Sequence, residues 1–222
     1  MFQGFSQNAI DFLWGISLNN ERGWFMAHKQ DFTDYVDVPM RELGKAVFSA
    51  LAKDYPRQDW RLHVCRIYRD ARRLHGNGPY KENLWFTLRC DSSRGPEIPA
   101  FYFEITPHNY SYGMGFYWAK ANTMACFRRA IDADPLPLTA LAERLNAQDT
   151  FVLTGQDYAR AKGDPGALLR PWYNKRVLDL SCVREHDDLL FSPALVEALV
   201  RGFGFLLPYY DYLEAVTRRE DA

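Results

Sequence analysis

The chain has 222 residues, 47% of them apolar, with 27 Lys+Arg against 28 Asp+Glu for a formal charge of -1. That length supports one sizeable core, so a single domain over 1–222 is expected, and the balanced charge excludes a polyanion-coating protein and an acidic disordered tail. Fifteen Phe, 13 Tyr and 6 Trp exclude disorder and fibrous folds and point to strands or a ring-rich binding face.

Ser6 reads as the N-cap of a first helix, with Phe5 and Ile10 spaced as a hydrophobic staple and Ala9, Phe12, Leu13 and Ile16 forming its apolar stripe to about Leu18. Asn20 caps a second helix through Trp24, Phe25, His28, Phe32 and Tyr35. Pro39 should interrupt or kink it before the stripe resumes at Leu43, Val47 and Leu51. From Arg61 to Trp118 the period shifts toward 2, predicting strands at Leu62–Arg69, Leu84–Arg89, Ala100–Thr106 and Tyr110–Tyr117. The last two are joined by Pro107-His108-Asn109, a link too short for a crossover, so they form an antiparallel hairpin. Met124–Ile131 and Leu138–Leu145 read as helices and Val177–Val183 as one further strand. Ser192-Pro193 opens a C-terminal helix expected to end by Pro208. The fold class is therefore α+β: a mainly antiparallel sheet of about four to six strands with helices packed on one face and helices at both ends.

Strand parity separates two faces. Leu84, Phe86, Leu88, Phe101, Phe103, Ile105, Tyr112, Met114 and Phe116 share the core side. The other side carries Trp85, Thr87, Arg89, Tyr102, Glu104, Ser111, Gly113, Gly115 and Tyr117, a floor on which a ligand would lie, unless the glycines serve a bulge or close packing. Arg66 and Arg69 interrupt an otherwise apolar strand, and a buried guanidinium needs a partner. Either Glu104 and Asp70 supply it or an anionic ligand does. Carboxylates held between arginines would have lowered pKa values, favouring ion pairing over proton donation. Seven bases stand against two acids between 57 and 81, a local charge of +5, and from Glu185 onward the balance is -5, so the neutral total hides an asymmetric chain.

The loop Arg72-Arg73-Leu-His75-Gly76-Asn-Gly78-Pro79-Tyr80-Lys81 combines glycines with cations and suits oxyanions, but contains no Walker sequence. Cys65, Cys90, Cys126 and Cys182 form no CxxC pair, the five histidines have no ligand spacing, and no GxSxG elbow occurs, so no metal, cofactor or serine nucleophile is expected. No basic-then-apolar leader and no membrane-length apolar run is present, which predicts a reduced, cytoplasmic protein without membrane contact.

Asn19-Asn20-Glu-Arg-Gly-Trp24-Phe25, Arg66-Ile-Tyr-Arg69-Asp70-Ala-Arg72, Pro79-Tyr80-Lys81, Tyr102-Phe-Glu104-Ile-Thr-Pro107 and Gly113-Met-Gly115-Phe-Tyr117 together resemble the family catalogued as domain of unknown function (DUF) 2461. The resemblance runs over nearly the whole chain and implies no established activity. Members usually carry a Phe-Ser-Lys-Asp-Lys type stretch where this chain has Arg73-Leu-His-Gly-Asn77; two lysines are absent, and emphasis falls on Arg66, Arg69 and Arg72.

The leading expectation is a pocket for a small phosphate- or carboxylate-bearing ligand, bordered by Arg66, Arg69, Asp70, Arg72, Tyr80, Lys81, Trp85, Tyr102, Glu104 and Tyr117. The alternatives are an enzyme on a phosphorylated or carboxylated metabolite with Glu104 or Asp70 as base, a single-stranded nucleic-acid binder, and a structural protein whose arginines are all internally paired. Near-zero net charge disfavours nucleic acid. Oligomeric state is left open.

Overall fold

A computed structural model of the protein describes residues 1–56, 59–70, 72, 77–90, 98–116 and 118–218. The fold is α+β, built on a six-stranded antiparallel sheet of order β1-β2-β3-β4-β6-β5. The strands are β1 (Trp60–Val64), β2 (Leu84–Cys90), β3 (Ala100–Ile105), β4 (Tyr110–Gly115), β5 (Val152–Thr154) and β6 (Asp179–Arg184). Before the sheet come α1 (Gln7–Leu18), α2 (Arg22–Ala27), α3 (Lys29–Asp31), a π-helical turn (Phe32–Asp37) and α4 (Val38–Asp54). After β4 come α5 (Ala121–Ala133), α6 (Leu136–Asn146), α7 (Arg170–Tyr173) and the long α8 (Leu195–Arg218).

The chain divides into two compact units: Met1–Leu88 with Tyr102–Tyr112 and Val183–Arg201, and Arg89–Phe101 with Gly113–Cys182 and Gly202–Ala222. In the first, α4 lies over the sheet, where Gly44 leaves room for Leu62 and Phe86: a Cβ there would sit 3.1 Å from the Leu62 side chain. Phe5 stacks on Phe103 at 5.9 Å between ring centroids, and both rings are buried, each stabilising by about 2–3 kcal/mol through apolar area removed from water. In the second unit Phe203 and Tyr210 of α8 stack on Phe101 at 4.8 and 5.1 Å.

Three local expectations are corrected. Pro39 does not interrupt its helix. Lacking an N–H, it cannot serve the carbonyl four residues earlier, and the preceding turn widens so that the Val38 N–H reaches Thr33 O, passing into α4 without a break. The N-cap of α2 is Glu21, because the Asn20 side chain is engaged with Tyr80. Helix α8 continues through Pro208 to Arg218. The cost of an interior proline, about 3 kcal/mol, is offset by the burial of Tyr209, Tyr210, Leu213 and Val216 beyond it and by hydrogen bonds of Tyr209 Oη to Leu141 O and of Cys90 N–H to Tyr210 Oη.

Side-chain alternation in β2 and β3 follows the expected parity: Leu84, Phe86, Leu88, Phe103 and Ile105 are buried, while Trp85, Thr87, Tyr102 and Glu104 are half-buried on the opposite face. The bare positions of β4 border no ligand space. A Cβ on Gly113 would stand 2.1 Å from Leu180 O and one on Gly115 2.5 Å from Leu178 O, so the glycines admit the backbone of β6. Strand β5, which the sequence did not mark, pairs Val152 with Ser181 and Thr154 with Asp179. Among the described residues no helix is long and apolar enough to cross a membrane.

Candidate functional site

Strand β1 ends at Val64, earlier than its apolar pattern suggested, yet pairing resumes a few residues on. Arg69 N–H bonds Pro79 O at 2.9 Å, Lys81 N–H bonds Ile67 O at 2.7 Å, and Tyr68 bridges Tyr80 in antiparallel sense. The segment 66–69 therefore lies beside 79–81 and brings Arg66, Arg69 and Lys81 together. Asn20 fastens this ribbon from outside it: its Oδ1 accepts the Tyr80 N–H and its Nδ2 donates to Tyr80 O, both at 3.0 Å. Gly78 is required there, since a Cβ would come within 2.2 Å of Asn20 Oδ1.

Each cation has a different fate. Arg69, with 28% of its side chain exposed, donates from Nε to Tyr80 O at 2.5 Å and from Nη2 to Glu82 at 3.2 Å. Glu82 in turn accepts a 3.2 Å bond from Ser17 Oγ of α1. Arg72, 87% exposed, forks onto Asp70 at 3.0 and 2.8 Å. Lys81 Nζ donates to the carbonyl oxygens of Arg66 and Tyr68, and no carboxylate among the described residues pairs with it. Its own burial holds its pKa below the ordinary lysine value; Cys65 opposes this next most strongly, and Arg66 and Arg69 each add a smaller push downward. The Arg66 guanidinium is exposed and has neither hydrogen bond nor ion pair among the described residues.

The expected pairing of Glu104 with arginine does not occur. Its Oε1 accepts from Asn83 Nδ2, and burial pushes its carboxyl above the ordinary range while the Asn83 bond pulls the other way. The lowering foreseen for a carboxylate between arginines is thus reversed, because the partner is a neutral amide. Cys65, buried and accepting the Trp85 N–H at 3.3 Å, lies within electrostatic reach of Lys81, Glu104 and Asp37, and its thiol is held up by burial. Trp85 and Tyr102 sit half-buried on the Glu104 face, Trp85 with the His63 ring at 5.6 Å. Tyr80 is 3% exposed, and its ring packs at 4.3 Å on Phe25, which serves the core. Trp24 likewise packs inward: it stacks on His28 and lies where a Cβ on Gly15 would come within 2.4 Å of its ring. Tyr117, Arg73, His75 and Gly76 lie outside the described residues.

Sequence reasoning missed Asn83, Glu82 and the clamp made by Asn20. Extending the β2 parity backward from Trp85 to Asn83 and Lys81 marks two of the site's polar groups, whereas the Asn20 contact spans 60 positions and leaves no local signal. Among the described residues no group of three or more His, Cys, Asp or Glu is placed to hold a metal ion.

The residues that build this ribbon, Asn20, Phe25, Arg69 and Tyr80, are among those that carried the sequence resemblance. A family model described as a conserved hypothetical protein (DUF2461) matches residues 8–212. The chain belongs to the DUF2461 family. No curated protein matches the chain. The conspicuous DUF2461 positions divide by geometry: Asn20, Phe25, Arg69 and Tyr80 hold the ribbon, whereas Arg66, Lys81 and Glu104 present charge or a carboxyl without an opposite partner among the described residues.

Proposed function

We propose that this DUF2461 chain binds a small anion bearing a phosphate or carboxylate group at the Arg66–Lys81 ribbon, with Trp85 and Tyr102 bordering the ligand's less polar part. One observation carries the reading: the ribbon has more cations than carboxylates. Arg69 and Arg72 are matched by Glu82 and Asp70, while Arg66 meets no partner among the described residues and Lys81 meets only carbonyl oxygens. An oxyanion between Arg66 and Lys81 supplies the missing counter-charge and suits the guanidinium fork. Asp70 and Arg72, paired at the solvent side, steer rather than hold the ligand. Four free, buried cysteines support a reducing, cytoplasmic setting.

Thermal shift tests this with inorganic phosphate, sulfate, succinate and a short single-stranded oligonucleotide, each against chloride at equal ionic strength to cancel general salt effects. The parent should show a saturable rise in Tm with a small oxyanion. Arg66→Ala should keep the parent's Tm in chloride and lose the rise. Arg69→Ala should melt lower in every buffer. A full rise retained by Arg66→Ala, or stabilisation by the oligonucleotide alone, overturns the reading.

A further inference from the structure

Glu104 stands next to a cation-rich ribbon and is paired with none of its cations. The charged and titratable groups around it come from each neighbouring element. Lys81 and Asn83 lead into β2. Cys65 directly follows β1 and feels both Lys81 and Glu104, and His63 lies on β1 against Trp85. Asp37 of the π-helical turn completes the set, already neutralised by Arg41 Nε at 2.8 Å. Two carboxyls thus act on the same buried thiol from electrostatic range in opposite circumstances: Asp37 has a guanidinium, Glu104 only an amide. An amide N–H satisfies one carboxyl oxygen without demanding that the group be ionised, so burial shifts the balance toward the protonated form.

We propose that Glu104 takes up a proton when an oxyanion binds at Arg66 and Lys81, and donates it in a hydrogen bond to that ligand, so that binding is proton-coupled. This rests on the anion-binding reading above. It narrows the ligand class to phosphate esters or carboxylates with an acceptor oxygen to spare beyond those that meet the cations. The balance is simple: one proton passes from solvent to the Glu104 carboxylate, no covalent bond of the ligand breaks, and the Oε1 bond from Asn83 is kept while the other carboxyl oxygen donates.

The test uses sulfate, which stays fully ionised across the range, titrated calorimetrically from pH 5 to 8 in two buffers of different ionisation enthalpy. The parent should bind about tenfold more weakly at pH 8 than at pH 5, with net proton uptake at the upper end. Glu104→Gln keeps an oxygen acceptor for Asn83 and resembles the protonated carboxyl; it should bind with the same affinity at every pH and take up no proton. The infrared band of a protonated carboxyl should grow in the parent on adding sulfate and be absent from Glu104→Gln. If Glu104→Gln keeps the parent's pH dependence, His63 or another group carries it; the inference is overturned and the anion reading stands. If sulfate binds the parent at no pH, both fall.

Discussion

At the scale of single residues, the clearest discriminations are steric. Gly113 admits the β6 backbone so closely that Gly113→Ala forces strands apart, with an expected loss of about 3 kcal/mol. Gly23 in α2 is the opposite case: a Cβ there meets nothing within 4 Å, and Gly23→Ala should stabilise by up to about 1 kcal/mol by restricting the unfolded chain. Urea denaturation of the two variants should move the midpoint in opposite directions, and a loss in both would contradict the packing described. Glu104 adds a pH signature. Its folded-state pKa stands above its unfolded value, so at low pH both states hold the proton and the burial costs nothing extra. As pH rises through the carboxyl range the unfolded chain releases its proton first and stability is lost. The Tm of Glu104→Gln minus that of the parent should therefore widen as pH rises from 4 to 7, and a difference constant with pH would mean that the fold does not raise the carboxyl's pKa.

At the scale of elements, the ribbon of 66–69 and 79–81 owes its position to a side chain far away in sequence. Asn20 bonds both backbone polar groups of Tyr80, so Asn20→Ala leaves the N–H without its partner and the C=O with Arg69 Nε alone, near the buried Phe25–Tyr80 stack, an expected loss of about 2 kcal/mol. Hydrogen exchange locates the damage: the Tyr80 amide should lose most of its protection while amides of β3 keep theirs, and unchanged protection at Tyr80 would show that the clamp is dispensable. This element also marks where the sequence was legible. The parity of β2 and β3 placed Trp85, Tyr102 and Glu104 on the correct face because period-2 alternation is a local property. The same parity misjudged Gly113 and Gly115, since a glycine that receives a strand and one that leaves room for a ligand look alike until the sixth strand is in place. Pro208 misled for a related reason. Helix termination was read from backbone chemistry, while continuation is decided by what Tyr209 and Tyr210 bury and bond beyond it. Three-residue β5 offered too short a pattern to register.

At the scale of the whole molecule, the division into two compact units follows no break in the chain. The boundary falls inside β2 after Leu88, inside β3 after Phe101, inside β4 after Tyr112, inside β6 after Cys182 and inside α8 after Arg201. Separate domains ordinarily meet in exposed linkers rich in Pro, Gly or polar residues, where few contacts cross. Here the crossing points are regular elements, so melting one unit would cut into strands and a helix that continue along the chain into the other. The expected outcome is one cooperative transition. Scanning calorimetry should give a single peak whose calorimetric enthalpy equals its van't Hoff enthalpy, and near-ultraviolet ellipticity and tryptophan fluorescence should follow the same urea curve. The tryptophans make the comparison informative, because Trp24 and Trp60 belong to the first unit and Trp172 to the second. Replacing Trp172 by Phe leaves fluorescence reporting on the second unit only through Trp118, which is 63% exposed and so contributes little change on unfolding. If the fluorescence midpoint of that variant separates from its ellipticity midpoint, the units unfold independently and the expectation of a single domain fails.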